Sequence, residues 1–157
     1  MTDTIAPAPL RVTRLQPEIG VEIAGLDLSQ PLASAHRDEI RGLLLRHKVL
    51  VFRDQRITRR EHLQFARAFG EIYDHPTTAK PEGAQTGIDL ISAVEARRRV
   101  KKLRFGAWHT DTSWDIKPVL GGILRAISVP EVGGDTVWVD AGQVYAGHGS
   151  RPIGGNL

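Results

Sequence analysis

Hydrophobic positions along the front of the chain change period several times, and each change predicts an element. Leu10 and Val12, then Val21 and Ile23, are spaced by two, the period of a strand with one buried face, and Pro17 and Gly20 between them read as a turn. From Ser34 the period becomes helical. Ile40, Leu43, Leu44 and His47 share one face, Ser34 is a candidate cap, and Asp38 and Glu39 suit the positive end of a helix over 34–47. Val49-Leu50-Val51-Phe52 is an unbroken run of strand formers, as expected for a strand buried on both faces. Thr58-Arg59-Arg60-Glu61 has the spacing of a capping box. A second helix follows, with Leu63, Phe65, Ala66 and Phe69 inward and Gly70 at its close.

Beyond Gly70 the pattern predicts strands. Ile88 to Val94 is one. Val119 to Val129 is a longer one, with Gly121-Gly122 marking a bulge or a close backbone approach, and Val132-Gly133-Gly134-Asp135 is a turn into a strand over 136–140. Residues 141–157 contain five glycines and no apolar period, so no helix is expected there. The expected class is α+β, two helices near the front and a β-rich remainder.

The candidate chemistry lies in Gly106-Ala107-Trp108-His109-Thr110-Asp111-Thr112-Ser113-Trp114. In a strand, residues two apart leave the backbone on one face, so His109 and Asp111 can converge on one ion as two of the three ligands of a 2-His-1-carboxylate Fe(II) site. Standing alone, the pair fits a surface histidine beside a hydrogen-bonding aspartate better than an iron site. Trp108 and Trp114 bracket it, however, and Gly133-Gly134-Asp135-Thr136 follows about one strand pair later. These two motifs resemble the Trp-His-x-Asp and Gly-Gly-Asp-Thr motifs of the taurine dioxygenase family of Fe(II)- and 2-oxoglutarate-dependent oxygenases. Gly20-Val21-Glu22-Ile23-Ala24-Gly25-Leu26-Asp27-Leu28 is similar to that family's early Gly-x-x-Ile-x-Gly-x-Asp-Leu segment.

The resemblance implies a partial double-stranded β-helix, a cupin-like jelly roll, buttressed by the two N-terminal helices. It implies Fe(II) held by His109 and Asp111, and 2-oxoglutarate as co-substrate with its distal carboxylate on the Thr136 hydroxyl. It also implies oxidation by dioxygen of a C–H bond in a small anionic substrate whose charged end meets His75. Thr136 equally suits a strand as a β-branched residue, and His75 equally suits a loop before a turn proline. Trp108 is expected to pack beneath the site, and Thr112 and Ser113 to hydrogen-bond Asp111. Thr77-Thr78 and Phe105-Gly106-Ala107 replace the aromatic hydroxyl and amide of taurine-specific members, so a sulfonate, alkyl sulfate or carboxylate other than taurine is expected.

His36 is expected to be exposed, and His47 and His62 to serve packing or surface roles. His148, in a Gly-His-Gly segment, and Arg151 are discounted as third iron ligand and 2-oxoglutarate anchor. The family-like domain is therefore taken as residues 1–140, and 141–157 as a divergent, truncated or frame-shifted tail that impairs activity. A half barrel leaves sheet edges and an apolar face uncovered, favouring a homo-oligomer or aggregation. The alternative function is a non-catalytic binding or assembly module using the basic run 97–104.

Composition narrows the remaining classes. With 157 residues and 41% apolar content one domain is expected, and without cysteine there are neither disulfides nor thiolate sites. A net charge of +3 and a basic run without interleaved aromatics argue against nucleic acid. That run is read as a solvated loop or as a lid steering an anionic substrate. The absence of a long apolar segment argues against a membrane span, and the opening residues lack secretory signal features, so a cytoplasmic location is expected.

Overall fold

The structure, a computed structural model, describes residues 8–74, 87–91 and 108–147. Strand β1 (Arg11–Arg14) pairs antiparallel with β2 (Val21–Ala24), Arg11 facing Ala24 and Arg14 facing Val21. Their connection turns at Gly20, whose φ of +90° lies where a Cβ is disfavoured, and the Leu15 amide donates to the Gly20 carbonyl at 3.0 Å. In β2, buried Val21 and Ile23 alternate with half-buried Glu22 and Ala24, whereas β1 is exposed throughout and forms the sheet edge.

Helix α1 (Ser34–His47) carries the chain back so that β3 (Leu50–Val51) lies parallel to β2, giving the order β1-β2-β3. The helix occupies the expected span but begins differently. Its cap is Ala33, with no side-chain hydrogen bond, and Asp38 and Glu39 fall beyond the first turn. Lys48, at φ +65°, ends the helix by donating its amide to the Leu44 carbonyl. Strand β3 is half-buried rather than buried on both faces.

Helix α2 (Arg59–Arg67) has the anticipated capping box. The Thr58 hydroxyl accepts from the Glu61 amide at 3.3 Å, and the Glu61 carboxylate accepts from the Thr58 amide at 2.6 Å. It ends through Ala68, two residues before the expected close at Gly70, which takes φ +154°. Leu10, Val21, Ile23, Leu28, Ile40 and Phe65 form the core, with Leu43, Leu50, Phe52 and Phe69 packed against it. Each fully buried aliphatic or aromatic side chain there is worth about 1.5–3 kcal/mol. Edge-to-face contacts Phe52–Phe65 and Phe65–Phe69, with centroids 5.7 and 5.3 Å apart, join α2 to the chain after β3. Gln55 secures the connection after β2, its Oε1 accepting from the Leu28 amide and its Nε2 donating to the Leu26 carbonyl.

The rear of the chain departs from the pattern. Residues 88–91, 119–129 and 136–140 form no strand among the described residues, because no partner strand completes their backbone hydrogen bonds there. Residues 92–94 of the first of these lie outside the described residues. A third helix, α3 (Ala141–Gly147), occupies a segment whose glycines argued against one. Asp140 explains it: its Oδ1 accepts from the Gly142 and Gln143 amides at 2.9 and 3.3 Å, satisfying the donors of the first turn. Gln143 Nε2 also reaches Glu18 in the β1–β2 connection at 3.1 Å. No described helix is long and apolar enough to cross a membrane.

Candidate metal-ligand turn

His109 lies on irregular chain and Asp111 in a bend, just before a turn. The carbonyl of Thr112 accepts from the Asp115 amide at 3.0 Å, and Thr112 takes φ +52°, so the chain reverses immediately after Asp111. The two side chains therefore approach one another outside the strand geometry expected for them. His109 Nε2 lies 3.5 Å from Asp111 Oδ1, and the two side chains are 73% and 80% exposed. Imidazole and carboxylate donors bind a divalent first-row ion at about 2.0–2.2 Å, so two donors on one ion stand at most about 4.2 Å apart. The observed separation fits that limit, and nitrogen with carboxylate oxygen suits Fe(II).

The turn is internally bonded. Thr112 is the one buried polar residue among those described, and its Oγ1 accepts from the Val119 amide at 3.3 Å. Thr110 Oγ1 donates to Ser113 Oγ at 2.6 Å. Thr112 and Ser113 thus hold the loop rather than hydrogen-bonding Asp111. Trp108 is 69% exposed and does not pack beneath the pair.

Three ties join this segment to α2 and its flanks. Tyr73 donates its hydroxyl to Asp115 Oδ2 at 3.1 Å, while Asp115 Oδ1 accepts from the Lys117 amide. His62 Nε2 lies 3.2 Å from the Ile123 carbonyl, and Arg125 donates to the Ile57 carbonyl. Burial holds His62 below its ordinary pKa, against the opposing effect of that hydrogen bond, and Arg125 lowers it further. Burial, then the Asp115 hydrogen bond and charge, raises Tyr73. His62 is therefore a tether as well as a packing residue, and His36, read as exposed, is half-buried with its Nε2 2.7 Å from the Ala8 carbonyl.

Thr136 is exposed on irregular chain. His75, His148, Arg151 and the run 97–104 lie outside the described residues. Among the described residues no three His, Asp or Glu side chains gather to hold a metal. Sequence reasoning missed Tyr73 and Asp115. The available signal was position: Tyr73 stands two residues before His75, and Asp115 follows the second bracketing tryptophan.

An imidazole and a carboxylate 3.5 Å apart are donors of the type a mononuclear non-haem iron protein uses. Residues 11–149 match the family described as taurine catabolism dioxygenase TauD, TfdA, and the chain belongs to that family. It is 38% identical over 138 residues to "Alkylsulfatase" of Acinetobacter baylyi, covering 87% of this chain and 41% of that protein. It is 34% identical over 128 residues to "Alpha-ketoglutarate-dependent sulfate ester dioxygenase" of Pseudomonas putida, covering 81% and 40%. The crystal structure of a taurine dioxygenase from Burkholderia xenovorans aligns with 40% of this chain and 23% of its own, at 39% identity and a TM-score of 0.39. The chain thus spans about two-fifths of the length of these curated relatives. Dioxygenases of this class use Fe(II) and 2-oxoglutarate.

Proposed function

We propose that the chain is part of an Fe(II)- and 2-oxoglutarate-dependent oxygenase that hydroxylates a C–H bond of a small anionic organic substrate, a sulfonate, alkyl sulfate or carboxylate. The observation that carries this reading is the 3.5 Å approach of exposed His109 Nε2 to Asp111 Oδ1 in a chain of this family. His109 and Asp111 would hold the ion, Thr136 would bond the distal carboxylate of 2-oxoglutarate, and His75 would bind the substrate anion. When bound, the iron and 2-oxoglutarate supply dioxygen activation, with 2-oxoglutarate leaving as succinate and carbon dioxide. The chain's own contribution is to fix two donors side by side, leave their outer faces open, and orient the substrate by its charge.

Turnover by the chain on its own is proposed to be impaired. The test supplies Fe(II), 2-oxoglutarate, oxygen and a linear alkyl sulfate, and follows succinate together with Mn(II) binding by electron paramagnetic resonance. Mn(II) binding that His109→Ala and Asp111→Asn each abolish is the expected result; equal binding by all three chains would overturn the assignment of the pair.

A second reading, a non-catalytic binding or assembly module, draws on the exposure of Ile116, Val132 and Val137. Its basic loop 97–104 lies outside the described residues. Anaerobic addition of Fe(II) and 2-oxoglutarate separates the two, since a visible charge-transfer band arises only if the iron site assembles.

A further inference from the structure

We propose that Tyr73 is a positioning residue for the His109–Asp111 pair, acting through Asp115; this rests on the metal reading above. Asp115 bonds in three directions. Its amide closes the turn on the Thr112 carbonyl at 3.0 Å, its Oδ1 accepts from the Lys117 amide at 3.2 Å, and its Oδ2 accepts the Tyr73 hydroxyl at 3.1 Å. The first two bonds shape the turn. Only the third connects Asp115 to another part of the molecule.

That connection matters because the pair itself is so exposed. His109 and Asp111 form an exposed pair, so the backbone that carries them contributes to their separation, and Thr112 is the first residue after Asp111. Thr112 adopts φ +52°, a left-handed conformation that is strained for a β-branched residue and is kept only where its surroundings over-determine it. Burial of Thr112 and its bond to the Val119 amide supply part of that constraint. The Tyr73–Asp115 bond adds to it by fixing the far end of the turn. It is also a charge-assisted bond, the stronger kind.

Tyr73 follows the core-bearing α2 by six residues and precedes His75, the proposed substrate-anion residue, by two. One hydroxyl therefore ties the chain leading to the substrate contact to the turn that follows the metal ligands. A displacement of either would be felt by the other.

The test compares the full chain with Tyr73→Phe, Asp115→Ala, the double variant and Asp115→Asn, which keeps one acceptor oxygen. Amide hydrogen exchange at Asp115, Lys117 and Val119 and Mn(II) affinity are both measured. Tyr73→Phe is expected to speed exchange at these amides and weaken Mn(II) by about tenfold, the lower end for groups that orient metal ligands. Exchange at the His62 amide, inside α2, stays unchanged. The double variant is expected to lose no more than Asp115→Ala, and Asp115→Asn to recover part of the affinity. Additive losses, unchanged exchange, or faster exchange with unaltered Mn(II) affinity would each overturn the proposal. Failure of the unsubstituted chain to bind Mn(II) would sink the metal reading itself, and the positioning role with it, a result visible before any variant is compared.

Discussion

Residues 10–69 and 108–147 are both rich in apolar side chains, yet only the first set is buried. In the front region Val21, Ile23, Ile40 and Leu63 are at most 3% exposed; in the rear Ile116 is 98% exposed, Val132 89% and Val129 72%. The difference follows from partners. Each front element has another against which to lay its apolar face, β2 between β1 and β3 and α1 and α2 against the shared core. The described rear segment is instead tied at a few polar points, Tyr73, His62 and Ile57, while its apolar residues face outward. Front stability is thus hydrophobic and distributed, and rear order depends on single hydrogen bonds.

Core truncation should test this contrast most severely. Ile23→Ala is expected to cost about 2–5 kcal/mol, read as a lowered urea midpoint at unchanged slope; a loss below about 1 kcal/mol would mean that the front core is not what holds the chain. Thr58→Ala should cost about 1 kcal/mol by the same measurement, since it leaves the Glu61 amide without its partner.

A smaller effect should appear on acidification. Because the folded chain holds the His62 pKa below its unfolded value near 6.5, the unfolded state takes up the proton first. The stability this contributes is complete above about pH 6.5 and is lost as pH falls toward the folded value. His62→Gln should flatten that part of the stability profile, and an unaltered profile would remove His62 as its source. Smallest of all, Ile116→Ala should change stability by less than about 0.5 kcal/mol. A larger loss would show that the rear apolar side chains are covered in solution.

The same contrast explains what could be read from sequence. Helices α1 and α2 and the β1–β2 hairpin were legible because their signals are local: a helical period, a Thr-x-x-Glu box, and alternation on either side of a glycine turn. The start of α1 was not, since Ser34 made an attractive cap and the chain uses Ala33 without a side-chain bond. Alternation at 119–129 and 136–140 gave the same signal as at 21–24, but a strand also needs a neighbour, which alternation does not encode. Helix α3 was hidden by glycine count, although Asp140 advertised its start.

At the candidate site, His109 and Asp111 were legible as a pair from spacing. The turn that follows them was not, because a left-handed Thr112 has no composition signal where glycine or asparagine would be expected. Tyr73 and Asp115 are 42 residues apart, and nothing local joins them.

The strand order β1-β2-β3 carries a consequence for biosynthesis. All three strands among the described residues, and both front helices, lie within the first 67 residues. About forty residues separate Arg67 from His109, an interval that a ribosome adding roughly 5–20 residues per second crosses in a few seconds. Hairpins close in about 1–10 μs and helices faster, so the scaffold has time to settle before the His109–Asp111 segment is translated. The nascent turn then meets a finished template, and a mutation that delays the scaffold would surface as misplacement of a segment made later.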